Sequence, residues 1–183
     1  MFKKLFAAAL IATSAGASAG VIATNTTPIT TSAQAYSQAF NLVGASQTDV
    51  RLSITAKGDY GFNYSGFNEY LDFFIDGVQL THWSSTNLPA TASAVNNYTD
   101  YDYTLTGFIA LTAAQWSQFS ADNVLNVSWK NTSDVDAYAL GGADYVSFTI
   151  EGRDVAAAVP EPTSLALIGL GLAGFGLARR RKS

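Results

Sequence analysis

"VRLSITA", residues 50–56, decides the fold class. Val50, Leu52, Ile54 and Ala56 are apolar, while Arg51, Ser53 and Thr55 between them are polar. In an extended chain successive side chains point to opposite faces, so this alternation gives one face to bury and one to wet. A helix would scatter the same residues around its circumference. The pattern recurs twice. Leu125, Val127 and Trp129 alternate with Asn126, Ser128 and Lys130; Val146, Phe148 and Ile150 alternate with Ser147, Thr149 and Glu151. Strands wet on one face belong to antiparallel sheets.

Further elements follow from these three. "EYLDFFIDGVQLTHW", residues 69–83, sets Asp76-Gly77 between two apolar runs, a strong hairpin signal. "YTDYDYTLTGFIAL" reads as one long strand and "AYSQAFNLV" as the first strand of the domain. "LTAAQWSQFS" is the one helical stretch, with Thr112 as cap and Trp116 and Phe119 buried at i, i+3 spacing. The expectation is an all-β, antiparallel β-sandwich of about seven strands with one short helix, a jelly roll being one form of it. It should occupy residues 36–152, after a loose Thr- and Ala-rich lead over 20–35 and before a linker and Pro-Glu-Pro box over 153–162.

The ends read differently. Lys3 and Lys4, an apolar core from Leu5 to Ala12, and Ala17-Ser18-Ala19 make a secretory signal peptide over residues 1–19. At the other end, Leu165–Leu177 is unbroken apolar sequence, followed by Arg179, Arg180, Arg181 and Lys182. With its neighbours it reads as a short transmembrane helix over 163–178. The basic tail, 179–183, should stay on the cytoplasmic side.

Between the ends, Arg51, Lys57, Lys130 and Arg153 face thirteen acidic residues, a net charge of −9 against −4 for the whole chain. Such a surface argues against nucleic acid as a partner and suits cations or polar neutral ligands. The chain has no cysteine, which excludes disulfides, thiol catalysis and cysteine-based zinc sites.

Val159-Pro160-Glu161-Pro162, the short Gly-containing apolar span and Arg179-Arg180-Arg181-Lys182, in that order, resemble a PEP-CTERM sorting signal. The resemblance covers about 25 residues. It implies an exosortase as partner, a transient stay in the inner membrane, and cleavage near the box. By the same resemblance the host is a Gram-negative bacterium that makes exopolysaccharide, and the exported domain ends at the cell surface or in the extracellular matrix. The two prolines also deny helix to the box, leaving an extended and reachable segment.

Within the domain the sequence offers candidates rather than a motif. Tyr60, Phe62 and Tyr64, with Phe67 nearby, form an aromatic stretch suited to stacking on sugar rings. Asn131, Asp134, Asp136 and Asp144 supply oxygen ligands of the kind calcium takes, without the EF-hand spacing. His82, the single histidine, is expected to be structural, because no G-x-S-x-G turn presents a serine to it. Glycoside hydrolysis needs two facing carboxyl groups, and only Glu69, Glu151 and the aspartates are available. Five N-x-S/T sequons, at Asn25, Asn63, Asn97, Asn126 and Asn131, reflect Asn/Ser/Thr richness. The sequence thus favours a structural or adhesive surface protein that is not an enzyme. A calcium-assisted carbohydrate-binding module is the alternative, and a secreted hydrolase ranks below both.

Overall fold

The computed structural model describes residues 19–42, 46–61 and 67–155. The signal peptide up to residue 18, Phe62, Tyr64, and everything from residue 156 (box, apolar span and basic cluster) lie outside the described residues. Among the described residues no helix is long and apolar enough to cross a membrane.

Among the described residues nine strands and one helix follow in order: β1 (Ala19–Pro28), β2 (Ala35–Asn41), β3 (Gln47–Asp59), β4 (Leu71–Ile75), β5 (Val78–Trp83), β6 (Ala92–Tyr98), β7 (Asp102–Ala110), α1 (Ala113–Phe119), β8 (Val124–Asn131) and β9 (Tyr145–Asp154). They form two antiparallel sheets, a five-stranded one in the order β1-β9-β3-β7-β6 and a four-stranded one in the order β2-β8-β4-β5. Leu52, Ile54 and Ala56 of β3 and Val146, Phe148 and Ile150 of β9 point inward from the first sheet. Leu71 and Phe73 of β4 and Leu125, Val127 and Trp129 of β8 do so from the second. Phe148 meets Phe73 edge-on at 5.3 Å between ring centroids, tying the two layers together.

The three alternating stretches are the central strands, as the period-two pattern requires. Asp76-Gly77 closes the β4–β5 hairpin, with Ile75 opposite Val78 and both turn residues at positive φ (47° and 76°). Those angles define the mirror-image turn that matches strand twist, which is why glycine stands second. Thr112 caps α1 through a reciprocal capping box with Gln115, and Trp116 and Phe119 are its buried side chains.

Two expectations need correction. The lead over 20–35 is not loose: residues up to Pro28 form β1, paired with β9 from Ala19↔Arg153 to Pro28↔Tyr145. Hydroxyl pairs hold this edge, Thr24 with Thr149 at 3.1 Å and Thr26 with Ser147 at 2.8 Å. "AYSQAFNLV" is therefore the second strand. The long strand read in "YTDYDYTLTGFIAL" is instead the end of β6, a turn and β7. Thr99 and Asp100 reverse the chain there at φ 39° and 60°.

The pairing also defines two poles. Residues 19 and 154, α1 and the β4–β5 turn lie at one; the ends of β3, β6 and β8 and the starts of β4, β7 and β9 lie at the other. The described chain therefore begins and ends at the pole opposite the loops considered next.

Candidate functional site

At the far end of β3 the alternation stops, and Ala56, Lys57, Gly58, Asp59 and Tyr60 are all buried. Lys57 is the centre of a polar knot. Its ammonium donates to Asp102 Oδ2 (2.6 Å), Asp144 Oδ1 (3.1 Å) and the carbonyls of Leu140 and Gly142 (both 2.9 Å). Burial alone would lower the lysine pKa, but the hydrogen bonds and charges of Asp102 and Asp144 outweigh it and raise the value. One buried cation thus fixes β3 to the start of β7 and to the 139–144 loop.

Tyr60 does not present its ring to solvent as the anticipated aromatic face requires. Tyr60 is fully buried, and its hydroxyl donates to Asn131 Oδ1 at 2.9 Å. Burial pushes its phenol well above the ordinary value. The neighbouring glycine is there for packing: a Cβ on Gly61 would land on the Asp100 carbonyl. Phe67 is half exposed. The four anticipated calcium ligands each have another partner. Asn131 is buried against Tyr60, and Asp144 is held by Lys57. Asp134 accepts the Asn68 N–H at 2.7 Å, and Asp136 accepts the Ser32 hydroxyl at 2.6 Å. Among the described residues no three carboxylate or imidazole side chains are arranged to hold one ion.

What the same pole builds instead is a cleft of about 260 Å³. Asp59 from the end of β3, Glu69 from the segment before β4, and Asp134 and Asp136 from the loop after β8 supply its carboxylates. Phe67, Tyr101 and Tyr138 supply rings exposed to 52%, 46% and 57%. Asp59 Oδ2 accepts the Asp136 N–H at 3.3 Å, whereas its Oδ1 is buried without a hydrogen-bond partner. Desolvation pushes this carboxyl up to about 6; the Asp136 N–H opposes the shift, and the charges of Asp136, Asp144 and Asp102 add to it. The Tyr138 hydroxyl donates to Asp136 Oδ2 at 2.8 Å, which sets the ring on the rim and raises its own pKa.

The sequence pairs Asp134 with Asp136 as calcium ligands and offers Glu69 and Phe67 separately, but nothing in it joins them to Asp59, Tyr101 and Tyr138. A usable signal was Lys57 and Asp59 together at a strand end, because two charges interrupting a buried stretch imply partners nearby. His82 lies outside this group. Its ring stacks on Tyr70 at 3.8 Å, and Nδ1 is 2.7 Å from Oδ1 of Asp72, which is buried on β4. A larger cavity of about 940 Å³ opens at the opposite pole beside Trp116, Leu42 and Val21, and takes in none of the anticipated residues.

No curated protein and no solved structure matches the chain. Residues 158–182 match the family model described as the PEP-CTERM protein-sorting motif. The match covers the tail and not the sandwich in front of it, so it speaks to delivery rather than to ligand. The chain carries the PEP-CTERM protein-sorting motif, which implies export, processing by an exosortase and sorting to the cell envelope or surface.

Proposed function

We propose that this protein is a non-enzymatic component of the cell surface or extracellular matrix of an exopolysaccharide-producing Gram-negative bacterium. It is made with a signal peptide, held transiently in the inner membrane by the 163–178 span, and cut near Pro160-Glu161-Pro162. The supporting observation is the sorting motif carried behind a sandwich whose described core residues run from Ala23 to Ile150. The test is the mass of the chain recovered from cells with and without an exosortase. A mature form ending near residue 160 only when the enzyme is present is expected; an uncut chain in both would sink the reading.

A carbohydrate-binding role is the second reading, and the cleft favours it. Planar rings stack on sugar faces while carboxylates take hydroxyls. With β6 set aside, the strand order is that of a jelly roll, an architecture lectins also use; fold alone carries no function. Calorimetric titration with exopolysaccharide from the producing strain should show saturable binding, lost in Tyr101→Ala and Tyr138→Ala. The same cleft holds Glu69 and Asp59, two carboxyls of the kind glycoside hydrolysis uses. Chain shortening of the polymer, abolished in Glu69→Gln, would move the protein into that class.

A further inference from the structure

Resting on the carbohydrate reading, we propose that the acid–aromatic cleft recognises a protonated amine carried on a sugar ring, the group exposed by an unacetylated amino sugar. Charge is the first reason. Four carboxylates line the cleft, and none of the domain's four basic residues does. Lys57 is taken by Asp102 and Asp144. Arg51 lies over the Phe108 ring at 3.7 Å, Lys130 faces Asp72 at 3.9 Å, and Arg153 faces Asp49 at 3.6 Å. A cation must therefore come from outside.

The unpaired oxygen is the second reason. Asp59 is 5% exposed and lines the cleft, and its Oδ1 has no donor. An unsatisfied buried acceptor is costly, and a cation brought into the cleft beside this carboxylate offsets that cost. Two of the other three acids are already oriented, Asp134 by the Asn68 N–H and Asp136 by Ser32 and Tyr138, which reduces the ordering that binding must impose.

Wall chemistry chooses between cations. Calcium takes six to eight oxygen ligands, and aromatic faces offer none. An ammonium on carbon uses both kinds of wall, donating to carboxylates and resting against the negative faces of Phe67, Tyr101 and Tyr138. The volume, about 260 Å³, is at the small end of ligand sites and suits one ring of a polymer rather than a long segment.

The test titrates the full chain, in mild detergent, with a glucosamine oligosaccharide, its N-acetylated counterpart of equal length, and calcium chloride. Saturable binding of the glucosamine form is expected, at least about tenfold tighter than the acetylated form. Asp59→Asn, which keeps the side-chain shape, and Tyr138→Ala, at a half-exposed rim position, should each erase that preference while the thermal transition stays cooperative. Equal binding of both saccharides overturns the amine inference and leaves the carbohydrate reading standing. Binding of neither overturns the amine inference, while the carbohydrate reading stands or falls with the exopolysaccharide titration. Saturable calcium binding that competes with the amine and survives Tyr138→Ala makes this a metal site and also overturns the inference.

Discussion

Asp59 is the residue at which burial and charge conflict most sharply. Its pKa is pushed to about 6 from an ordinary 3.8, so the folded chain holds its proton over a range where the unfolded chain has released it. A raised carboxyl pKa is a stability loss that grows as pH rises from about 4 through 6 and is complete above that. Asp59→Asn removes the charge and keeps the shape. The variant should be more stable than the parent by about 2–3 kcal/mol at pH 7.5, with no gain at pH 4. Urea denaturation at both values checks this, and a gain of equal size at pH 4 would show that charge is not the cause. Lys57→Met should act in the opposite direction. It leaves Asp102 and Asp144 buried without their cation, at an expected cost of about 3–5 kcal/mol in the same assay. An undiminished midpoint would mean that solvent reaches these carboxylates. At this scale the sequence was only partly legible. Gly58 and Gly61 flank Tyr60 as they would in a loop, but Gly61 is small because the Asp100 carbonyl passes over it, and sequence does not reveal which long-range neighbour a glycine admits.

Elements were legible in proportion to how much they bury. Strands β3, β8 and β9 sit inside their sheets or face the core squarely, and their period-two pattern is unmistakable. The edge strands β1 and β6 bury little: among their residues only Ala23 is fully covered. Their sequences therefore keep threonine, asparagine and alanine where a central strand would show valine or leucine, and they read as loop. The helix was legible because a capping residue and two aromatic positions agree on one register; Thr112→Ala should cost it about 1 kcal/mol. A sharper test belongs to β6. Gly107 of β7 lies where an added methyl would collide with Ala92 of β6 and sit 2.9 Å from the Trp83 ring of the other sheet. Gly107→Ala should therefore destabilise by about 1–3 kcal/mol, as overpacking does, and hydrogen exchange should quicken first along residues 92–98. Protection lost evenly across both sheets would mean that β6 is not the element displaced.

For the whole molecule, address and fold are separable in sequence: the sorting motif takes residues 158–182 and the described strands end at Asp154. The tail was legible because its three parts, prolines, apolar span and basic cluster, are each local and need no fold to be recognised. The cleft was not, because its residues come from four separate segments that only the strand order brings to one pole. This separation sets an expectation about truncation. Every described residue of the core cluster lies between Ala23 and Ile150, so ending the chain after Val155 keeps all of them. The shortened chain should unfold at the same temperature as the parent, within about 1 °C, since the transition tracks the free energy of the packed core. Its destination should change: without residues 158–182 an exosortase has nothing to cut, and the domain should be exported without passing through the processed, envelope-associated pool. Deleting residues 19–28 as well should do what the tail deletion does not. It strips β1 from β9, uncovers a long sheet edge and removes Ala23 from the core. A lower, broader transition and aggregation are expected, followed by circular dichroism and light scattering. If the tail deletion alone lowered the transition by several degrees, the sorting segment would be part of the fold rather than only its address.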